Sequence, residues 1–205
     1  MNDIENVKKL SLSMDLNHKN DQGEIYLHHA TSMGKPNLET IKYLVIGKSN
    51  LNATNKDGFT PIHFSATHHS PDKQIIEYLL SKNADANIKN QEGIGCLFDC
   101  CMIPNPKMEI IQILAENENT NLNIKDSDGN TILSSLCFPK TVNLELIKFL
   151  IDRKVDTNLR NNENETALFI SCFHLAPNFE LIKYLIEKGN ADANLKNSGK
   201  KLFFK

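Results

Sequence analysis

Six turn-forming segments recur at nearly constant spacing through this chain, and that period limits the fold more than any other feature. They read NHKNDQGEI, NATNKDGFT, NIKNQEGIG, NIKDSDGNT, NLRNNENET and NLKNSGKKL. Anchors at Gly23, Gly58, Gly93, Gly129, Asn164 and Gly199 lie 35, 35, 36, 35 and 35 residues apart, the last turn being one residue short. Gly and Asn permit the positive φ that a tight turn between units requires. A chain with such a period is an array of small units, none able to bury its apolar face alone and each stabilised by its neighbours.

Each of the first five turns is followed by an apolar block: LETIKYLV, KQIIEYLL, MEIIQILA, LELIKFLI or FELIKYLI. The spacing is helical. In the last block Phe179, Ile182, Leu185 and Ile186 share one face, while Glu180, Lys183 and Glu187 point away. Between turn and block a shorter helix is predicted, with its clearest start in repeat two. There Thr60 is placed to cap and Pro61 occupies the first helical position, where no N–H is missed. Ile62, Phe64 and Ala66 supply its large and small packing positions. Pro36, Pro71, Pro106 and Pro177 mark the loop between the two helices, with Val142 in repeat four. Asn37, Asp72, Asn143 and Asn178 follow, each suited to capping the outer helix. Repeat three is the weakest, since Gly95 stands where Thr60 does and Asp99 where Phe64 does.

In its residues, NKDGFTPIHFSA followed by IIEYLLSKNADAN resembles the ankyrin repeat, whose pattern is close to DxxGxTPLHxAA and then EIVxxLLxxGADxN. The resemblance recurs in register over nearly the whole chain. It divides the sequence into five repeats, 17–51, 52–86, 87–122, 123–157 and 158–193. Residues 1–16 read as an N-terminal capping helix, and 194–205 as a partial sixth repeat or C-terminal cap. The family's usual period is about 33 residues, so the loop between the helices is longer here by two. The resemblance implies an all-α solenoid of stacked helix-turn-helix units joined by hairpin-like turns. It also implies a concave face of turns and inner helices, a convex back of outer helices, and a function in binding a protein partner. The alternative is an interaction domain belonging to a larger enzyme or to a ubiquitin-ligase-type scaffold. A further reading makes the turn asparagines Asn52, Asn87, Asn123, Asn158 and Asn194 substrates for hydroxylation.

Composition agrees with a binding module more than with other classes. Among 205 residues the formal charge is −2, with no basic excess of the kind that phosphate backbones demand, so nucleic acid is not expected as the partner. No apolar stretch reaches the roughly 18 to 20 residues that span a bilayer, and no membrane association is expected. Five cysteines, with Cys100 and Cys101 adjacent, suggest reduced thiols and an intracellular, cytoplasmic setting. A monomer is expected.

Three histidines in TPIHFSATHH, namely His63, His68 and His69, raise the question of a metal site. Aligning the repeats places His28, His63, Phe98, Ser134 and Phe169 at one position. A metal ligand does not exchange with phenylalanine in sister units, whereas a packing position at a helix start does. The family resemblance implies that this histidine ties the turn to the helix. By the same test Cys101, Cys137 and Cys172 align with Ala66 and Thr31 at a small packing position. DSDGN at 126–130 fails as a calcium loop, because Ile124 and Ser135 fall at the first and last ligand positions. No catalytic residue, metal or cofactor is expected, and the chain reads as a non-enzyme.

The residues that the repeat leaves unexplained are those at the turn tips and inner-helix ends, which face the groove in ankyrin repeats. Repeat two supplies Lys56, Asp57, Phe59, Thr67 and His68, and repeat three Gln91, Glu92, Ile94, Met102 and Ile103. Repeat four supplies Ser127, Asp128, Asn130, Phe138 and Pro139, and repeat five Asn162, Glu163, Glu165, Phe173 and His174. Met102, Ile103, Phe138 and Phe173 form an apolar series beside acidic tips, which suits a partner with basic and apolar groups. The competing expectation is that the longer loop extends the inner helix, so that these side chains pack against the next repeat.

Overall fold

The computed structural model describes residues 14–138, 142–173 and 177–195. Most of the expected capping helix and all but two residues of the partial sixth repeat lie outside them. The described residues form ten helices in alternating short and longer pairs. The short inner helices are α1 (Tyr26–Ser32), α3 (Pro61–Thr67), α5 (Cys96–Met102), α7 (Ile132–Leu136) and α9 (Ala167–Cys172). The outer helices are α2 (Leu38–Ile46), α4 (Lys73–Ser81), α6 (Met108–Glu116), α8 (Leu144–Asp152) and α10 (Phe179–Glu187). They fall into two compact units, one of Met1–Gln91 with Gly95–Thr120, the other of Glu92–Ile94 with Asn121–Lys205.

Every inner helix begins from the same backbone. Ile25, Thr60, Gly95, Thr131 and Thr166 are the N-caps, all extended, with φ between −100° and −84° and ψ between 165° and 171°. Thr131 and Thr166 accept the N–H groups of Ser134 and Phe169, satisfying donors that the first helical turn leaves open. Thr60 works differently. His63 Nδ1 accepts the Thr60 N–H at 3.2 Å and lies 2.8 Å from the Thr60 hydroxyl, so the imidazole reaches back to the cap. The outer helices bear out the sequence signal: Asn37, Asp72, Asn143 and Asn178 each accept a backbone N–H of the first turn, whereas Lys107 of repeat three does not.

In the first unit the core is layered between successive helix pairs, with Leu27, Ile41, Ile62, Ile76, Leu79, Leu97, Ile111 and Leu114 almost wholly buried. Ile132, Leu133, Ile147, Leu150, Leu168, Leu181 and Leu185 serve the second unit in the same way. α10 departs from the face expected for it: Leu185 is buried, but Phe179 is 78 % exposed, Ile186 lies largely at the surface and Ile182 is half-buried, because the helix packs through the i, i+4 pair Leu181 and Leu185.

The turn anchors behave as their residue types demand. Gly23, Gly58, Gly93 and Gly129 have φ near +80°, and Asn164 takes the same role at +61°. At Gly58 the constraint is double, since a Cβ there would stand 2.7 Å from Asn90 Cα. Sequence spacing did not reveal a second set of positive-φ residues, Lys48, Asn83, Lys154 and Asn190, which turn the chain after an outer helix. Repeat three has none there, and its extra residue falls in this connection, where Asn117 closes the helix at φ −71°.

Candidate interaction face

Four turn tips are built from an Asn or Asp that folds the chain over its own side chain. Asn20, Asn55, Asp126 and Asn161 accept two backbone N–H groups apiece, from residues two and four further on. Their own N–H groups bond across the turn to the carbonyls of Glu24, Phe59, Asn130 and Glu165. Tips are then stitched to one another. In the first unit Lys56 N–H donates to Gln22 O and Gln91 N–H to Asp57 O; in the second, Ser127 N–H donates to Glu92 O and Asn162 N–H to Asp128 O. A second ladder runs through the turn asparagines. Asn17, Asn52, Asn123 and Asn158 accept the N–H groups of Asn50, Asp85, Asp156 and Asp192, each in the following turn. The tips are therefore held in place before any partner arrives, which lowers the entropy lost on binding.

In the first unit, Lys56, Asp57 and Gln91 are exposed at tips, with the Gln91 carboxamide donating to Lys56 O. Phe59 is half-buried, packed edge-on against His63 and tilted against Phe64. Thr67 turns its hydroxyl back to His63 O, while His68 lies beside His69 with ring centroids 4.1 Å apart. Met102 is exposed and Ile103 half-buried at the end of α5.

In the second unit, Glu92, Ser127, Asp128, Asn162 and Glu163 are exposed and Glu165 is half-buried. Two of the expected groove residues point inward instead. Ile94 is 6 % exposed, and Asn130 is 9 % exposed because its carboxamide oxygen accepts from Asn161 and its N–H is held by Asp126. Backbone register predicted their position, but packing decided their direction. Phe138 and Phe173 are 47 % and 57 % exposed. α7 and α9 end at Leu136 and Cys172, before these residues, so the longer loop does not extend the inner helices to bury them. A depression of about 220 Å³ lies between them, lined also by Glu165, Phe169 and Ile170. His174 and Pro139 lie outside the described residues.

The buried polar groups are structural. His28 accepts the Ile25 N–H at Nδ1, and its Nε2 bonds to Phe59 O in the next repeat, which fixes the neutral tautomer protonated at Nε2. Burial lowers its pKa below the ordinary 6.5. Three buried thiols are held protonated: a hydrogen bond with Cys100 and then burial raise Cys96 well above its usual range, burial does the same to Cys101, and Cys137 is pushed up to about 12 by burial. A thiol so placed is a weak nucleophile. Among the described residues no group of three His, Cys, Asp or Glu could hold a metal ion, and no helix is long and apolar enough to cross a membrane.

A family model of ankyrin repeats matches residues 1–90 and 97–197. The chain belongs to the ankyrin-repeat family. Its fold is similar to the crystal structure of the ankyrin repeat domain of Bcl-3, described as a unique member of the IkappaB protein family. The TM-score is 0.80 and the identity 22 %, over 98 % of this chain and 87 % of that one. It is similar also to the ankyrin repeat protein EF0377, with a TM-score of 0.68 and 18 % identity over 82 % of this chain and 85 % of that one. No curated protein matches it in sequence. The ankyrin units account for the all-α class, and ankyrin repeats are generally protein–protein interaction modules.

Proposed function

We propose that this ankyrin array binds a protein partner through the face carrying its turn tips and inner-helix ends, and that it acts by binding, not catalysis. The observation that carries this reading is the exposed aromatic pair Phe138 and Phe173, set in pre-formed backbone beside Asp128, Glu163 and Glu165. Large apolar side chains left in water beside acidic rims are characteristic of surfaces that a partner covers. In the first unit the same positions offer Lys56, Asp57, Thr67, His68, Gln91, Met102 and Ile103, with Phe59 partly accessible. Exposed tips in the second unit add Glu92, Ser127 and Asn162.

The test is a comparison of wild type with Phe138→Glu. Because Phe138 is nearly half exposed, the substitution should leave the thermal midpoint almost unchanged while abolishing capture of the partner from the source cell. A large loss of stability would show that the side chain packs, and retained capture would remove this face from the function.

A further inference from the structure

The depression at the inner-helix ends of the second unit has a chemistry narrower than an apolar patch. Phe138 and Phe173 form its exposed walls, the buried Phe169 and Ile170 its floor, and Glu165 stands on its rim. The rings of Phe169 and Phe173 stack at 4.3 Å with 19° between planes, so Phe173 presents a fixed flat surface. Glu165 is likewise fixed, its N–H held by Asn161 Oδ1 at 2.9 Å and its carboxylate accepting from Asn161 Nδ2 at 3.3 Å. The tip segments 126–130 and 161–165 hold four carboxylates and no Lys or Arg.

An aliphatic side chain entering here would cover the rings but strip water from a carboxylate without replacing it. An acidic one would be repelled. A cation on an apolar stem satisfies both surfaces at once, since aromatic faces attract positive charge and the rim pairs with it. Between the two basic side chains the flat wall favours the guanidinium, which stacks on rings, sheds water more readily than an ammonium and grips a carboxylate with two N–H groups. A volume of about 220 Å³ admits one long side chain.

We infer that this depression takes a single arginine side chain from the partner polypeptide, its guanidinium between the aromatic wall and Glu165 and its stem along Phe138. The assignment rests on the protein-binding reading above and names the chemistry of the residue that anchors it.

The experiment is a titration of the full chain, labelled at Phe rings and Ile methyls, followed by nuclear magnetic resonance. The probes are blocked tripeptides Ala-X-Ala with X as arginine, lysine, citrulline or norleucine. The arginine peptide should shift Phe138, Phe173 and Ile170 saturably, with a Kd at least about fivefold below that of the isosteric but neutral citrulline peptide. Added salt should narrow that gap. Glu165→Gln, which keeps an acceptor for Asn161, should erase it at an unchanged unfolding midpoint. The wild-type contrast between arginine and citrulline stands even if that variant fails to fold. Equal affinity for citrulline or lysine, or no shift at these residues with any probe, would overturn the assignment. Norleucine binding as well as arginine would also overturn it while leaving an apolar docking surface. Phe138→Glu that keeps its stability and retains its partner would instead remove this face from the function, a failure distinct from the loss of arginine selectivity.

Discussion

Repeats two and three reach the same backbone by different chemistry. Thr60 caps α3 at φ −99° and ψ 167°, and Gly95 caps α5 at φ −94° and ψ 171°, and both helices run for seven residues. Repeat two holds its helix start with polar groups, the His63 imidazole reaching back to the Thr60 N–H. Repeat three has no side chain at the cap and no imidazole at the fourth position. It buries Cys96, Leu97, Phe98, Cys100 and Cys101, and the Cys96 thiol reaches Ile62 O in repeat two at 3.5 Å. The lesson is that stacking alone can impose a helix start that local sequence barely encodes, because the neighbouring repeat supplies the surface that fixes it.

The largest expected effect is on the buried side. Phe98→Ala should cost about 4 kcal/mol in urea unfolding, through lost transfer free energy and a cavity. His63→Ala should cost less, about 3 kcal/mol, mainly by leaving the Thr60 N–H without its acceptor in a dry site. If the order reverses, the polar tie of repeat two outweighs the burial in repeat three, and the contrast between the repeats collapses.

Gly95→Thr should stabilise by about 1 kcal/mol, since its dihedrals suit Thr and the change adds a cap while reducing unfolded-state freedom. The negative φ at Gly95 removes the alternative that this glycine is needed for a left-handed turn. A neutral result on urea unfolding would mean that packing around Gly95 leaves no room for the hydroxyl.

The smallest expected effect is on pH dependence. Burial lowers the His28 pKa, so the folded state keeps the imidazole neutral while the unfolded chain takes up a proton below about 6.5. Stability is therefore full above that pH and falls as the pH drops toward the folded value. Urea midpoints measured across this window should decline, and His28→Asn should show a shallower decline. An unchanged slope in the variant would assign the acid sensitivity to other groups.

Much of the fold was legible because a repeat states each rule several times. Capping asparagines and Asp72 before the outer helices and left-handed anchors at the tips appear where spacing put them, whereas the stripe read for α10 was rotated, Leu181 and not Phe179 or Ile186 lying inward beside Leu185. The interaction face was legible in position but not in direction. Ile94 and Phe138 are both apolar residues at non-core positions of the repeat, yet one is buried and the other largely in water. No local pattern distinguishes them. The tip-to-tip bonds were hidden for a related reason, since they join residues about 35 positions apart through backbone groups that every sequence possesses.

The sequence by itself determined the unit, its period, the helix pair within it and the residues that cap and turn the chain, because these follow from short-range sterics and hydrogen bonding repeated in register. Only the tertiary structure decided which side chains at the tips and inner-helix ends remain in water. Exposure there depends on how closely one repeat settles on the next, and that closeness is the sum of many contacts between distant residues. The pocket formed by Phe138, Phe173 and Glu165 exists for this reason. It belongs to the seam between repeats four and five within the second unit and to neither repeat's sequence alone.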